Sequence, residues 1–197
     1  ADNVKPVLYS HGLSRTIQPD YGNENREVYL IDLRVEIPDS IVTGGSSIKP
    51  NIKLSIPSGR EFNYYSDLVD IRFPSTALYD TLYLNVAHTI DANNNEVVTI
   101  GQNTVPLDRS IRVFFRPSTI TTWTNDMAVY RINGRSHSYH GGTWENGRVN
   151  FTTREFGDFT ILRDTIAPEI RVSSINATAA RFRIKDNLSG IAHFEAS

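Results

Sequence analysis

The chain has 197 residues, a formal net charge of −2, 39% hydrophobic and 21% charged residues, and no cysteine. A near-neutral charge with no Lys/Arg run gives no long-range attraction to nucleic acid or to an anionic membrane surface. The absence of cysteine excludes disulfides, thiolate zinc sites and cysteine nucleophiles together.

Strand signals dominate, as short alternating runs rich in β-branched and aromatic residues. In chain order they are Val4 to Leu8, Glu27 to Ile37, Ile48 to Ile56, Leu68 to Phe73, Thr81 to Thr89, Glu96 to Ile100, Ser110 to Arg116, Met127 to Ile132, Arg148 to Thr152, Phe156 to Leu162, Ile170 to Ser174 and Ala180 to Ile184. Turn formers separate them, among them Gly22-Asn23, Gly44-Gly45, Ser58-Gly59, Asn93-Asn94-Asn95 and Gly141-Gly142. Asn133-Gly134 and Asn146-Gly147 read as type I′ hairpin turns, which need positive φ at both central residues. The pattern predicts an all-β fold built as antiparallel sandwiches. No apolar run approaches the roughly 20 residues that a bilayer demands, and nothing resembles a signal peptide.

An echo divides the chain. Asp2-Asn3-Val4-Lys5-Pro6-Val7-Leu8 recurs as Asp164-Thr165-Ile166-Ala167-Pro168-Glu169-Ile170. A proline that fixes φ and withholds its N–H suits the first edge strand of a module, just after a linker. The echo predicts tandem immunoglobulin-like β-sandwich modules: an immunoglobulin-like module over 1–66, a central β-sandwich over 67–163, and the start of a further immunoglobulin-like module over 164–197. The last is expected to be incomplete, because two or three strands cannot close a sandwich. The natural protein is then expected to continue past Ser197, and a start at Ala1 without Met is that of a processed protein or an excised fragment.

Candidate sites are few. Asp91, Asn93 and Asn95, with Glu96, place oxygen donors on alternating residues as a calcium loop does, though the mid-loop glycine and distal bidentate Glu are missing; an Asn-rich hairpin tip is the alternative. Asp186, Asn187 and Ser189 offer a similar turn, which Asx-type hydrogen bonds also explain. Trp123, Tyr130, Tyr139 and Trp144 lie among polar loops, as in sugar-binding surfaces where aromatic faces stack on pyranose rings, and Trp144, Tyr139 and Trp123 are the candidates for that role. The same residues, with Tyr64, Tyr65 and Tyr21, also read as core or cross-strand aromatics. His137 and His140 form the one close histidine pair, but in an extended or looped stretch residues three apart diverge. No Gly-x-Ser-x-Gly elbow, Walker loop or dinucleotide glycine loop occurs.

Five ordered blocks resemble the accessory region that follows the catalytic domain of lysostaphin-like murein zinc metallopeptidases of Bacteroidetes. They are Ile71-Arg72-Phe73-Pro74-Ser75-Thr76-Ala77-Leu78-Tyr79-Asp80, Tyr139-His140-Gly141-Gly142-Thr143-Trp144-Glu145-Asn146-Gly147, Phe156-Gly157-Asp158-Phe159-Thr160-Ile161, Asp164-Thr165-Ile166-Ala167-Pro168 and Arg183-Ile184-Lys185-Asp186-Asn187-Leu188-Ser189-Gly190-Ile191. The resemblance implies a β-sandwich tail of an envelope protein, extracytoplasmic in the periplasm or at the cell surface, a compartment that also suits a strand-rich chain without cysteine. Such peptidases bind zinc through His-x-x-x-Asp and His-x-His, and none of His11, His88, His137, His140 and His193 has either spacing. The chain is therefore expected to be non-catalytic and without a cofactor of its own, zinc entering only if a catalytic domain lies upstream. Its expected role is to position or dock the protein, with peptidoglycan or another envelope glycan, or an outer-membrane protein, as partner, and with neither nucleic acid nor a transmembrane segment. The alternative is a stand-alone surface glycan- or protein-binding module, or a subunit of an outer-membrane assembly. Asp39-Ser40-Ile41, Asp80-Thr81-Leu82 and Asp164-Thr165-Ile166 resemble the O-glycosylation signal of secreted Bacteroidetes proteins, with Ser40, Thr81 and Thr165 as acceptors.

Overall fold

The structure, a computed structural model, describes residues 4–190. Asp2 and Asn3 of the first echo, together with Ile191 and His193, lie outside the described residues. Every regular element among the described residues is a β-strand, and all the pairings are antiparallel, so the expected all-β class holds. No helix there is long and apolar enough to cross a membrane, which says nothing of a strand-built barrel.

The first of two units, Ala1–Ile52, contains β1 (Val7–Ser10), β2 (Leu13–Thr16), β3 (Tyr21–Asn23), β4 (Arg26–Val28), β5 (Ser40–Thr43) and β6 (Ser46–Ile48). Four of these form a sheet in the order β2-β1-β5-β6, and β3-β4 is a separate hairpin. The expected strand over Glu27 to Ile37 shrinks to β4. Its remainder turns because Asp32 accepts the backbone N–H of Arg34 at 3.0 Å and the Arg34 guanidinium at 2.8 Å, an Asx turn that competes with strand pairing. The expected strand over Ile48 to Ile56 breaks after Ile48, before Pro50, which has no N–H to give a ladder.

The second unit, Lys53–Ser197, continues with β7 (Leu54–Ile56), β8 (Phe62–Tyr64), β9 (Val69–Phe73), β10 (Leu82–Leu84), β11 (Val86–Ile90), β12 (Glu96–Ile100), β13 (Pro106–Phe115), β14 (Met127–Asn133), β15 (Ser136–Gly141), β16 (Thr143–Glu145), β17 (Arg148–Glu155), β18 (Gly157–Arg163), β19 (Glu169–Ile175) and β20 (Ala180–Lys185). Two five-stranded sheets carry it, β11-β12-β18-β14-β15 and β16-β17-β13-β9-β8. Period-two alternation puts Val98, Val129, Phe159 and Ile161 of the first sheet into one cluster with Ile71, Val113, Val149 and Phe151 of the second. Phe151 and Phe159 meet across the two sheets with ring centroids 5.2 Å apart.

Strands β7 and β8, expected to close a first module ending at residue 66, belong instead to this unit. They pair with β10 and β9, Ile56 opposite Leu82 and Phe62 opposite Phe73, and Ile56 is fully buried in the shared core. The segment expected to start a third module is the β19-β20 hairpin, whose Ile170, Val172 and Phe182 are exposed. Asn146 and Gly147 both have positive φ, as a type I′ turn requires, but at the other hairpin Asn133 pairs with Ser136 and only Gly134 of the loop has positive φ.

Replacing Phe159, 1% exposed, by Ala should cost about 3–5 kcal/mol through lost burial and the cavity left behind. Denaturant unfolding of the two proteins measures it.

Candidate functional site

Alternation that sends Val129 into the core turns Tyr130 onto the outer face of its sheet, where it stands directly opposite Tyr139 on β15. The two rings meet edge to face at 5.7 Å. Tyr130 is nevertheless fully buried, because the chain leaving β18 folds over this face. The Asp164 N–H donates to the Asp126 carbonyl at 2.7 Å, and the Asp164 carboxylate accepts the N–H of Ser189 at 3.0 Å and its hydroxyl at 2.5 Å. Asp186 closes the adjoining turn by accepting the N–H groups of Leu188 and Gly190, each at 2.9 Å.

These ties leave a cleft of about 450 Å³ bordered by Tyr130, Tyr139, Asp126, Asp164, Asp186 and Ser189. The Tyr130 hydroxyl is buried and has no protein partner. Burial, with the charge of Asp164 adding to it, pushes the phenol up to about 12, so it is a proton donor at neutral pH. The Ser189 hydroxyl holds the Asp164 carboxyl below the usual carboxylate range. Tyr139, 55% exposed, shows ring surface at the rim. An aromatic face, carboxylate acceptors and a phenolic donor together can hold a polyhydroxyl ligand by ring packing and hydrogen bonds.

The residues expected to stack on sugar are not brought together. Trp123 and Trp144 stack on each other, centroids 5.6 Å apart and planes 13° off parallel, and both pack against the sandwich core. Trp144 lies opposite Val149, on the inner face of its sheet, whereas Tyr139 lies on the outer face of the other. Gly142 sits between, at φ +136°, where an added Cβ would come within 2.8 Å of Val149. Tyr64 packs on the core, and Tyr65 and Tyr21 are exposed. His137 touches the ring of Tyr130 while His140 packs against Phe151 and Phe159, so the two imidazoles leave opposite faces of β15.

At the expected calcium loop, Asp91 accepts the N–H groups of Asn93 and Asn95, each at 2.8 Å, and the Asn95 side-chain amide at 3.0 Å. The carboxylate thus serves its own hairpin tip, and Asn95 presents its amide N–H to Asp91. No group of three or more His, Cys, Asp or Glu that could hold a metal occurs among the described residues. Of the O-glycosylation candidates, Thr165 is exposed beside the cleft, while Ser40 at the start of β5 and Thr81 just before β10 are half-buried.

Glu96 points away from the loop. Its side chain is 3% exposed and accepts the Ser118 N–H at 3.0 Å, the Thr119 N–H at 2.5 Å and the Thr119 hydroxyl at 2.6 Å, with His88 Nε2 3.1 Å away. Burial pushes this carboxyl up, but the hydrogen bonds from Thr119 and Ser118 outweigh it and hold it below its ordinary 4.5. Its contribution to stability is therefore complete above that ordinary value and is lost as pH falls through the folded one. Glu96→Ala should cost about 2–4 kcal/mol, because it strands buried donors. In thermal melts below pH 4.5, Glu96→Gln should lose stability less steeply with acid than the native chain.

No curated protein matches the chain. Residues 53–164 match the model of the Zu5-like domain, a span that starts where the second unit starts and ends as the chain leaves β18. With more than half of its residues inside that match, the chain belongs to the Zu5-like domain family.

Proposed function

We propose that this chain is a non-catalytic binding region of an extracytoplasmic envelope protein, which holds an envelope glycan in the Tyr130-Tyr139 cleft and thereby positions the protein. The observation that carries the reading is the exposed Tyr139 ring at the rim of a cleft whose lining includes three carboxylates and a buried, unpartnered phenol. Sugars offer what such a lining takes up: apolar ring faces for the aromatic and hydroxyls for the acceptors. The resemblance of residues 68–197 to the accessory region of murein zinc metallopeptidases supports peptidoglycan as the glycan.

The chain should be retained on purified sacculi in a pull-down, and Tyr139→Ala should release it while Tyr65→Ala, at a comparably exposed ring elsewhere, should not. Equal retention of the two variants would overturn the assignment of the cleft. Release of muropeptides by the chain alone would overturn its non-catalytic character.

A second reading, as an assembly subunit, draws on the β19-β20 hairpin. Val172 and Phe182 are cross-strand partners and both are more than half exposed, an apolar face of the kind that meets another protein. An outer-membrane protein is the partner under that reading. A chain that stays monomeric and binds no envelope protein in crosslinking would count against it.

A further inference from the structure

Opposite the Tyr130 cleft, on the outer face of the β16-β17-β13-β9-β8 sheet, arginines collect. Arg72 on β9 is directly opposite Arg112 on β13, and Arg112 is directly opposite Thr152 on β17. Like charges facing each other across a strand pair are destabilising. An acid between them would remove the cost, yet the nearest buried carboxylate is committed elsewhere. Asp70, 7% exposed, is bound by Arg116 at 2.5 Å and lies 3.5 Å from Arg148. Among the described residues, neither Arg72 nor Arg112 has a carboxylate within ion-pair distance. Arg72 instead lies over the Phe114 ring, its Cζ 4.9 Å from the centroid, with Arg148 over the same ring at 5.0 Å. The cation–π contact restrains the guanidinium, whose N–H groups make no hydrogen bond among the described residues.

Beside this pair the face dips into a cleft of about 410 Å³ to which Ser75, Ser110 and Thr152 contribute, with Glu61 as its one carboxylate. Two guanidinium forks and three hydroxyls make a donor-rich site. A carboxylate has two oxygens in one plane, whereas a tetrahedral phosphate presents oxygens in several directions and carries up to two charges, which suits facing cations and flanking hydroxyls better. We propose that the Arg72-Arg112 cleft is a binding site for a phosphate group. The site is independent of the glycan cleft, and the like-charge pair is retained because the ligand neutralises it. The chain's net charge of −2 makes this basic patch a local feature of one face rather than a property of the whole molecule.

The test uses Arg112→Gln, since among the described residues the Arg112 side chain makes no hydrogen bond, ion pair or ring contact and its removal leaves the Arg72-Phe114 contact in place. Calorimetric titration with inorganic phosphate and with pyrophosphate at low ionic strength should show binding by the native chain. Arg112→Gln should weaken it about tenfold or more, the usual effect of losing charge-assisted hydrogen bonds. Its melting temperature without phosphate should be unchanged or higher, because the repulsion is gone. Flotation with phosphatidic acid vesicles against phosphatidylcholine vesicles then separates the sources. Arg112-dependent binding to the former assigns a lipid headgroup, and soluble binding without flotation assigns a free or polymer-borne phosphate. No phosphate binding by the native chain, or binding that Arg112→Gln leaves intact, would overturn the proposal.

Discussion

Everything in the second unit depends on the two-residue alternation of strands whose one face must be dry. Val98, Val129 and Phe159 in one sheet, and Ile71, Val113 and Phe151 in the other, are committed to a shared interior. Their neighbours in sequence are thereby assigned to the two outer faces. Tyr130 follows Val129, and Arg72 follows Ile71. The positions of the Tyr130-Tyr139 cleft and of the arginine row are consequences of that burial: a slip of one residue in β14 would turn Tyr130 inward, and a slip in β9 would do the same to Arg72.

Polar side chains then pin the parts that strands do not hold. Glu96 ties the start of β12 to the turn at Ser118 and Thr119, and Asp164 ties the chain leaving β18 to Ser189 beyond the hairpin. Asp70 draws Arg116 and Arg148 together on one outer face. The buried carboxylates Glu96 and Asp70 replace their lost hydration with several donors, which is the condition for an acid to sit in such places. The two outer faces that result differ in chemistry. One offers carboxylates, phenol and an exposed aromatic ring, the other guanidinium and hydroxyl donors.

Much of the framework was legible in the sequence because alternation is local. The stretch Glu96 to Ile100 is β12 itself, and Asn146-Gly147 makes the turn its residue types require. Where side chains competed with the ladder the pattern misled: Asp32 converted an apparent strand into a turn, and Pro50 cut another. The candidate sites were less legible, since they depend on register between distant strands. Trp144 and Tyr139 are five positions apart yet face different sides of different sheets, which no spacing rule reveals without the pairing of β16 with β17 and β15 with β14. The facing of Arg72 and Arg112 likewise rests on the β9-β13 register. The Asp164 echo did carry a signal, but its proline pointed to a module entry, while the aspartate's part in the cleft appears only when Ser189 folds back to it.

The most direct test of the account is residue-resolved mapping of a soluble muropeptide on the chain by NMR titration. The account predicts saturable shifts confined to the outer face around Tyr130, Tyr139, Asp164 and Ser189, with Trp123 and Trp144 unmoved. Shifts centred on the two tryptophans, or none at any muropeptide concentration, would contradict it.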